Sequence, residues 1–566
     1  MTTTSNTLAL RAARDLLVET SHDYDAALAR FAWPELRETF NWAVEWFDAI
    51  AEGNDRVALR IVEEDGRESS STFAELAERS TRLAGWLRGR GVEQGDRVMI
   101  MLGNQVELWE TMLAVMKLGA VIMPGATALT PRELTDRLER GGVRHVVVNA
   151  ADADKFDGLE GSFTRTVIGG PVDGWVDYAA YAAHDGAFEA AITKTTDPVL
   201  VYFTSGTTSR PKMVEHTQVS YPVGHLTTMY WIGLQPGDVH MAISAPGWAK
   251  HAWSLFYGPW LAEATIFVYN YARFDAPSLV AALDAAGVTT FCAPPTVWRM
   301  IIQAQGLERP RAMRELVSAG EPLNPEVIAQ VRARWGMTIR DGYGQTELTA
   351  SIANTPGAEI VPGAMGRPLP GVPVVLVDPI TGELGDDGEL CVDLAQHPLT
   401  LMTGYLGDPD RDAEVKRGGV YHTGDVAVRD AAGQITYVGR TDDVFKSSDY
   451  KVSPFEVESI LLEHPAVAEA AVVPVPHETR LNSVKAYVVL AAGWEPDAAT
   501  ARAILRHGHE TMPSYMRPRR LEFADLPKTI SGKIRRVELR TREADAAAAG
   551  TEIDDWREEH LGGTAG

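Results

Sequence analysis

Short apolar runs alternate with stretches of helical period along most of this chain, and that alternation restricts its fold more than any other feature. Residues 97–102 (RVMIML) read as a strand, 106–118 as a helix and 120–123 as a second strand, and 144–149 (RHVVVN) is a further β-branched run. A strand that is apolar at every position is covered on both faces, as in parallel sheets flanked by helices. The expectation is an α/β protein with largely parallel buried sheets. At 566 residues the chain exceeds what one core holds, so more than one domain is expected.

The texture changes after about Gly363. Gly and Pro crowd the strings GAMGRPLPGVPVV and DPITGELGDDGEL, and short strand-like runs follow as far as 435–438. This is the pattern of a β-rich subdomain closing a large α/β domain. A polar stretch at 439–450 (GRTDDVFKSSDY) precedes helix-like 454–464, strand-like 467–473 and 484–490, and helix-like 499–507. That order predicts a small α+β domain. The expected division is a large domain over 1–440 and a small one over 441–566. The Ala- and Gly-rich tail from about Ala546 is expected to fray.

Composition removes several classes of function. Set against 77 acidic side chains, the 53 basic ones leave a formal charge of −24, so nucleic acid and anionic membranes are not expected partners. The most apolar long region, 98–128, is interrupted by Glu107, Glu110 and Lys117, which suits a buried strand–helix–strand and not a membrane span. The first residues lack the apolar core of a secretory signal, and 8–18 reads as a short amphipathic helix. The two cysteines, Cys292 and Cys391, lie in apolar strings without metal-ligand spacing and read as buried thiols. A cytoplasmic protein is expected, with monomer and dimer both open.

One loop carries chemistry. Directly after the apolar run 198–203 comes TSGTTSRPK, residues 204–212. Gly206 lets the backbone approach a ligand closely. Ser205, Thr207 and Thr208 supply hydroxyls and backbone N–H groups for phosphate oxygens, and Lys212 supplies a cation. The P-loop pattern GxxxxGK[ST] is absent from the chain.

The string resembles the signature loop of the adenylate-forming superfamily, which includes acyl-CoA synthetases, luciferases and peptide-synthetase adenylation domains. Further motifs follow in that superfamily's order. Gly320-Glu321-Pro322 and Asp341-Gly342-Tyr343 resemble its adenine-binding segments, and YGQTE (343–347) its next core motif. YHTGD (421–425) and Gly439-Arg440 resemble its ribose-binding motifs, and PKTISGKIRR (527–536) its C-terminal lysine motif. Softer strings, among them FNWAVEWFD, TTFCAPPTVWRM and GEPLNPEV, look most like medium-chain acyl-CoA synthetases.

The resemblance implies an ATP-dependent acid:CoA ligase that first makes an acyl-adenylate. The loop Thr204–Thr208 with Lys212 then holds the ATP phosphates, Thr346 adds a hydroxyl, and Glu347 ligates Mg2+. Asp425 accepts from the ribose hydroxyls with help from Arg440, and Tyr343 stacks on adenine. Lys533 reaches the α-phosphate during adenylation, and Asp442 is the hinge between the two half-reactions. Relatives often read SSG(Y/H)R after the hinge; here Asp449 stands at the glycine and places a charge where the pantetheine arm of CoA passes. The alternative is an adenylating ligase or diazotising enzyme whose acceptor is not CoA but a carrier thiol or an amine. The string PGWAKHAW matches a substrate-lining segment, which makes Trp248, Lys250 and His251 acid-pocket candidates. Acetyl-specific relatives carry tryptophan at the position of Gly344, so glycine there is expected to leave room for a medium-chain, branched or aromatic acid.

Overall fold

The computed structural model describes residues 4–204, 210–304, 306–447, 450–477, 481–528, 534–551 and 553–561. The chain forms two compact units, Met1–Val374 with Val392–Val420, and Val375–Cys391 with Tyr421–Gly566.

The first unit holds two sheets. In one, the strands Pro198–Thr204, Val121–Pro124, Arg97–Met101, Val143–Asn149, Thr164–Ile168 and Val176–Asp177 lie side by side in parallel. Lys212–Thr217 and then Gly404–Tyr405 extend it antiparallel at one edge. In the other, Ile339–Gly344, Glu315–Ala319, Thr290–Cys292, Val239–Ala242, Thr265–Asn270 and Val57–Glu63 run parallel. The interiors of these strands are covered on both faces, which is why they read as unbroken apolar runs. One face of the second sheet is sealed by a core that includes Phe267, Leu283, Phe291, Trp298, Leu316 and Trp335.

The region 98–128 is the expected strand–helix–strand, with its helix at Val106–Lys117. Two of its charges lie inside the protein. Lys117 is 1% exposed and pairs with Asp48 at 2.7 Å, while Glu110 meets Arg79 at 3.1 Å and accepts hydrogen bonds from Tyr178 and Tyr181. No helix among the described residues is long and apolar enough to cross a membrane.

In the second unit, Val420–Arg429 pairs antiparallel with Ile435–Arg440. A four-stranded sheet follows, ordered Val467–His477, Leu481–Leu490, Arg520–Phe523, Trp556–Arg557, with helices at Pro454–Leu461, Ala498–Thr511 and Arg536–Ala549. This is the expected α+β pattern. The tail corrects the expectation of fraying. Its helix runs to Ala549, and Trp556 pairs with Leu521 in the sheet. The reason is electrostatic. Lys485 is fully buried and held by Glu522 at 2.9 Å, Glu543 at 2.6 Å and Asp555 at 3.2 Å, so the tail supplies one of its carboxylates.

Candidate active site

The phosphate-loop string joins two antiparallel strands, with Thr204 directly opposite Lys212. Ser205, Gly206, Thr207 and Thr208 lie outside the described residues. Lys212 does not stand alone at the foot of this hairpin. Its ammonium lies 4.9 Å from the ring centre of Tyr405 and 3.5 Å from its hydroxyl, and that hydroxyl donates to Glu347 Oε1 at 2.8 Å. Tyr405 arrives there because Gly404–Tyr405 adds to the edge of Lys212–Thr217, with Tyr405 opposite Val214. The Met402 N–H to Glu347 carbonyl bond, 2.9 Å, ties the same segment to the glutamate backbone. A cation and a carboxylate predicted from separate motifs are thus joined by an aromatic ring that neither motif contains.

The turn that carries Thr346 is anchored from the same strand. His216 Nε2 donates to the Thr346 carbonyl at 2.8 Å, which leaves Nδ1 to accept from the Ser220 hydroxyl at 3.0 Å. Burial lowers the His216 pKa to about 4, so the ring is neutral and this tautomer is fixed by its two partners.

The two segments expected at the adenine leave the C-terminal ends of neighbouring parallel strands, where ligand crevices form in open α/β sheets. Gly320 follows Glu315–Ala319 with φ +102°, a backbone conformation that favours glycine, and Glu321 and Pro322 follow it. Asp341 sits opposite Ser318 and Gly342 opposite Ala319. Asp341 is buried, and burial raises its pKa to about 7 against the pull of N–H donors from Gly342 and Leu323. A Cβ on Gly342 would lie 2.2 Å from the Trp231 indole, so packing alone requires glycine there. Tyr343, Gly344, Thr346 and Glu347 are half-buried at the strand end and the turn beyond it.

The acid-pocket candidates divide. Trp248 is half-buried at the start of the helix Ala249–Ala252. Lys250 donates to the Ala319 carbonyl at 3.1 Å, which places its ammonium at the end of the strand that leads to Gly320. His251 is 3% exposed, bonded to Asn104 Oδ1 at 3.0 Å, and lowered to about 3 by burial. It is a neutral group whose ring nitrogen is already engaged, unsuited to holding a carboxylate. The expectation that Gly344 leaves room is corrected on the side where its side chain would project. A Cβ there would lie 2.4 Å from Trp253 Cη2 and 2.3 Å from the Thr349 carbonyl oxygen.

In the second unit, Asp425 lies opposite Arg440 in the strand pair. It is 4% exposed, with Arg440 Nη1 at 3.2 Å and the Tyr437 hydroxyl donating at 3.4 Å. The turn before it is braced: the Gly424 N–H donates to Glu389 and the Thr423 hydroxyl to the Leu390 carbonyl. Asp442 is exposed, 3.7 Å from both Arg440 and Arg540, and its neighbour Asp443 pairs with Arg540 and, at 4.0 Å, with Arg536. Asp449 and Lys533 lie outside the described residues. Lys528 bridges Ile534, and the Arg535 N–H donates to the Pro527 carbonyl at 2.8 Å.

Sequence reasoning missed Tyr405, His216, Tyr437 and Trp253. Trp253 ends the PGWAKHAW string without being singled out, Tyr405 and Tyr437 belong to no motif string, and each of the four acts through strand pairing or packing between distant segments.

Comparison with known proteins agrees with this arrangement. Residues 46–406 match the AMP-binding enzyme family, and 456–533 match the AMP-binding enzyme C-terminal domain. The chain is 41% identical to 4-hydroxybutyrate--CoA ligase 1 of Metallosphaera sedula over 90% of its length and 92% of that protein's. It is 35% identical to human mitochondrial acyl-coenzyme A synthetase ACSM3 over 89% and 90% of the two chains. The crystal structure of the anthranilate CoA ligase AuaEII in complex with anthranoyl-AMP superposes with a TM-score of 0.83 at 28% identity, covering 91% of this chain and 99% of that one. The chain belongs to the AMP-binding enzyme family, the adenylate-forming enzymes whose motifs its sequence carries in order.

Proposed function

We propose that the protein is an acid:CoA ligase. A carboxylate attacks the α-phosphorus of ATP, giving acyl-AMP and pyrophosphate; the thiol of CoA then attacks the acyl carbon, and AMP leaves. The observation that carries this reading is the Lys212–Tyr405–Glu347 cluster at the foot of the Thr204–Lys212 hairpin. Both reactants of the first step are anionic, so positioned charge is the main demand on the protein. Lys212 and the loop hydroxyls hold phosphate oxygens, and Thr346 adds its own. Glu347 has one carboxylate oxygen bonded to Tyr405, a carboxylate in keeping with Mg2+, which prefers one or two carboxylates beside phosphate oxygens. When bound, Mg2+ neutralises phosphate charge.

Asp425, oriented by Arg440 and Tyr437, accepts from the ribose hydroxyls. Lys533 is assigned to the α-phosphate during adenylation, and Asp442 to a pivot between a large domain, 1–440, and a small one, 441–566. The acid is a medium-chain, branched or aromatic one. Neither cysteine forms a disulfide, in keeping with the cytoplasm.

The test is pyrophosphate release over a panel of carboxylic acids, followed by loss of free CoA thiol. Absence of pyrophosphate with every acid sinks the reading. Pyrophosphate without thiol loss assigns the acyl group to another acceptor.

A further inference from the structure

Two neighbouring strands of the second unit bring three different ligand groups to one point. Glu389 and Cys391 stand two residues apart in the strand Asp387–Asp393, and side chains at i and i+2 share a face of a sheet. His422 comes from Val420–Arg429, the next strand of that sheet, 31 residues beyond Cys391. Sequence spacing hides the group, and only strand pairing assembles it.

His422 Nδ1 faces both partners. It donates to Glu389 Oε2 at 2.8 Å and lies 3.6 Å from Cys391 Sγ, and one ligand atom from each residue falls within 4.8 Å of the other two. Around a tetrahedral zinc ion, with metal–ligand bonds of about 2.0–2.3 Å, such atoms lie about 3.4–3.6 Å apart. The His–Cys edge already has that length, and the His–Glu edge has to open by only about 0.6 Å. The carboxylate is also held from behind. Its Oε1 accepts from the Gly424 N–H at 3.0 Å, which leaves Oε2 turned toward the imidazole, an outer partner of the kind that orients metal ligands.

Charge and burial fit the same ion. Cys391 is fully buried, Glu389 is 6% exposed, and the His422 side chain is the most exposed of the three at 10%. A thiolate, a carboxylate and a neutral imidazole together cancel a charge of +2, so the occupied site brings no net charge into the interior. On binding, the imidazole keeps its proton on Nε2, the thiol gives its proton to solvent, and a metal–sulfur bond replaces the S–H bond.

We propose that Glu389, Cys391 and His422 form a site for a thiophilic divalent cation of the zinc class, with a fourth position left to water. Its sulfur and imidazole ligands distinguish it from a Mg2+ site, which takes oxygen. Through the Gly424 N–H the same carboxylate braces the turn that carries Asp425, so the ion lies one hydrogen bond behind that turn. The site needs no adenylation chemistry and stands apart from the ligase reading.

The experiment takes the full chain, stripped with a chelator and kept reduced, and titrates it with Co2+ as a spectroscopic stand-in for Zn2+. Excess Mg2+ is present throughout to keep oxygen-ligand sites occupied. Wild type is expected to show the intense visible bands of tetrahedral Co2+ and a near-ultraviolet thiolate-to-cobalt charge-transfer band, both abolished by an equivalent of Zn2+. Cys391→Ser is expected to lose the charge-transfer band. His422→Gln is expected to raise the Kd for Zn2+ about tenfold or more, since the loss of even an outer partner of a metal site costs that much. Cys292→Ser, at the buried thiol of the first unit, is expected to keep the wild-type spectrum. A wild type without the charge-transfer band overturns the proposal, as does a band that persists in Cys391→Ser or vanishes in a folded Cys292→Ser. If Cys391→Ser does not fold, His422→Gln decides: an unchanged Kd for Zn2+ is the overturning result.

Discussion

The Tyr405 hydroxyl donates to Glu347 Oε1 at 2.8 Å while its ring lies beneath the Lys212 ammonium at 4.9 Å. One aromatic side chain thus fixes both the proposed metal carboxylate and the phosphate-binding cation. A hydrogen bond to a charged group contributes about 1.5–3 kcal/mol. Tyr405→Phe keeps the ring under Lys212 and deletes only the hydroxyl. The expected outcome is a rise of about tenfold in the Mg2+ concentration for half-maximal pyrophosphate exchange, with little change in melting temperature. A lower melting temperature with unaltered Mg2+ dependence would make Tyr405 a packing residue alone.

Lys533 belongs to the sequence motif 527–536. Its proposed task is confined to the first half-reaction. Lys533→Ala is expected to lower ATP–pyrophosphate exchange by about a hundredfold or more, the size of loss seen when one positioned electrostatic donor is removed. Conversion of supplied acyl-adenylate and CoA to thioester is expected to persist. Equal loss of both reactions contradicts the assignment.

The strands were legible because burial on both faces leaves an unmistakable run, as in RVMIML. Lys117 looked like an interruption of such a region, yet it is inside; its partner Asp48 lies far away in sequence and only the fold joins them. The same limit applies to the site. Motif strings named Lys212, Glu347 and Asp425, whose residue types match the chemistry. They are silent on Tyr405, which reaches Lys212 across 193 residues by edge-strand pairing. They also mislead about a glycine. Gly344 reads as clearance for a ligand, whereas the Trp253 indole and the Thr349 carbonyl fill that position.

The buried histidines make the fold sensitive to acid. Burial lowers His216 to about 4 and His240 and His251 to about 3, against an ordinary value near 6.5. Their folded-state values are depressed, so their contribution is fully present above about pH 6.5 and is lost as pH falls toward 4. Asp341, raised to about 7, and Asp48, Glu110 and Glu456, also raised by burial, work in the opposite sense over this window, while burial lowers His225 and His464 alongside the three. The melting temperature is expected to fall between pH 7 and pH 4.5. His251→Gln, which retains an amide donor for Asn104 and cannot titrate, should flatten that slope. An identical slope in the variant would remove His251 as a contributor.

The ordered tail makes its own prediction. Asp555 is fully buried against Arg520 at 2.6 Å and Lys485 at 3.2 Å; burial alone would raise its pKa, but the two cations outweigh it and hold it below the ordinary range. Breaking a buried ion pair from one side costs ~3–5 kcal/mol. Because Lys485 keeps Glu522 and Glu543, Asp555→Asn should fall near the lower end of that range. The urea midpoint is the measurement, and an unchanged midpoint would mean that the tail carboxylate contributes nothing.

Asp341 provides a test with the sign reversed from the histidines. Its folded-state value lies above the ordinary carboxylate range, because burial disfavours the anion more than the Gly342 and Leu323 N–H groups favour it. Its contribution to stability is therefore present below about pH 4 and is lost as pH rises through about 7. At pH 8 the protein carries a buried anion at the strand end expected to face adenine. Asp341→Asn cannot ionise and keeps a carbonyl oxygen for the Gly342 N–H. The variant should melt at a higher temperature than wild type at pH 8, and the gain should shrink at pH 5.5. If the carboxylate also meets the adenine, KM for ATP at pH 8 should rise in the variant even as its melting temperature improves. A variant that melts lower than wild type at pH 8 would show that the two N–H donors outweigh burial and that the anion is the stable form.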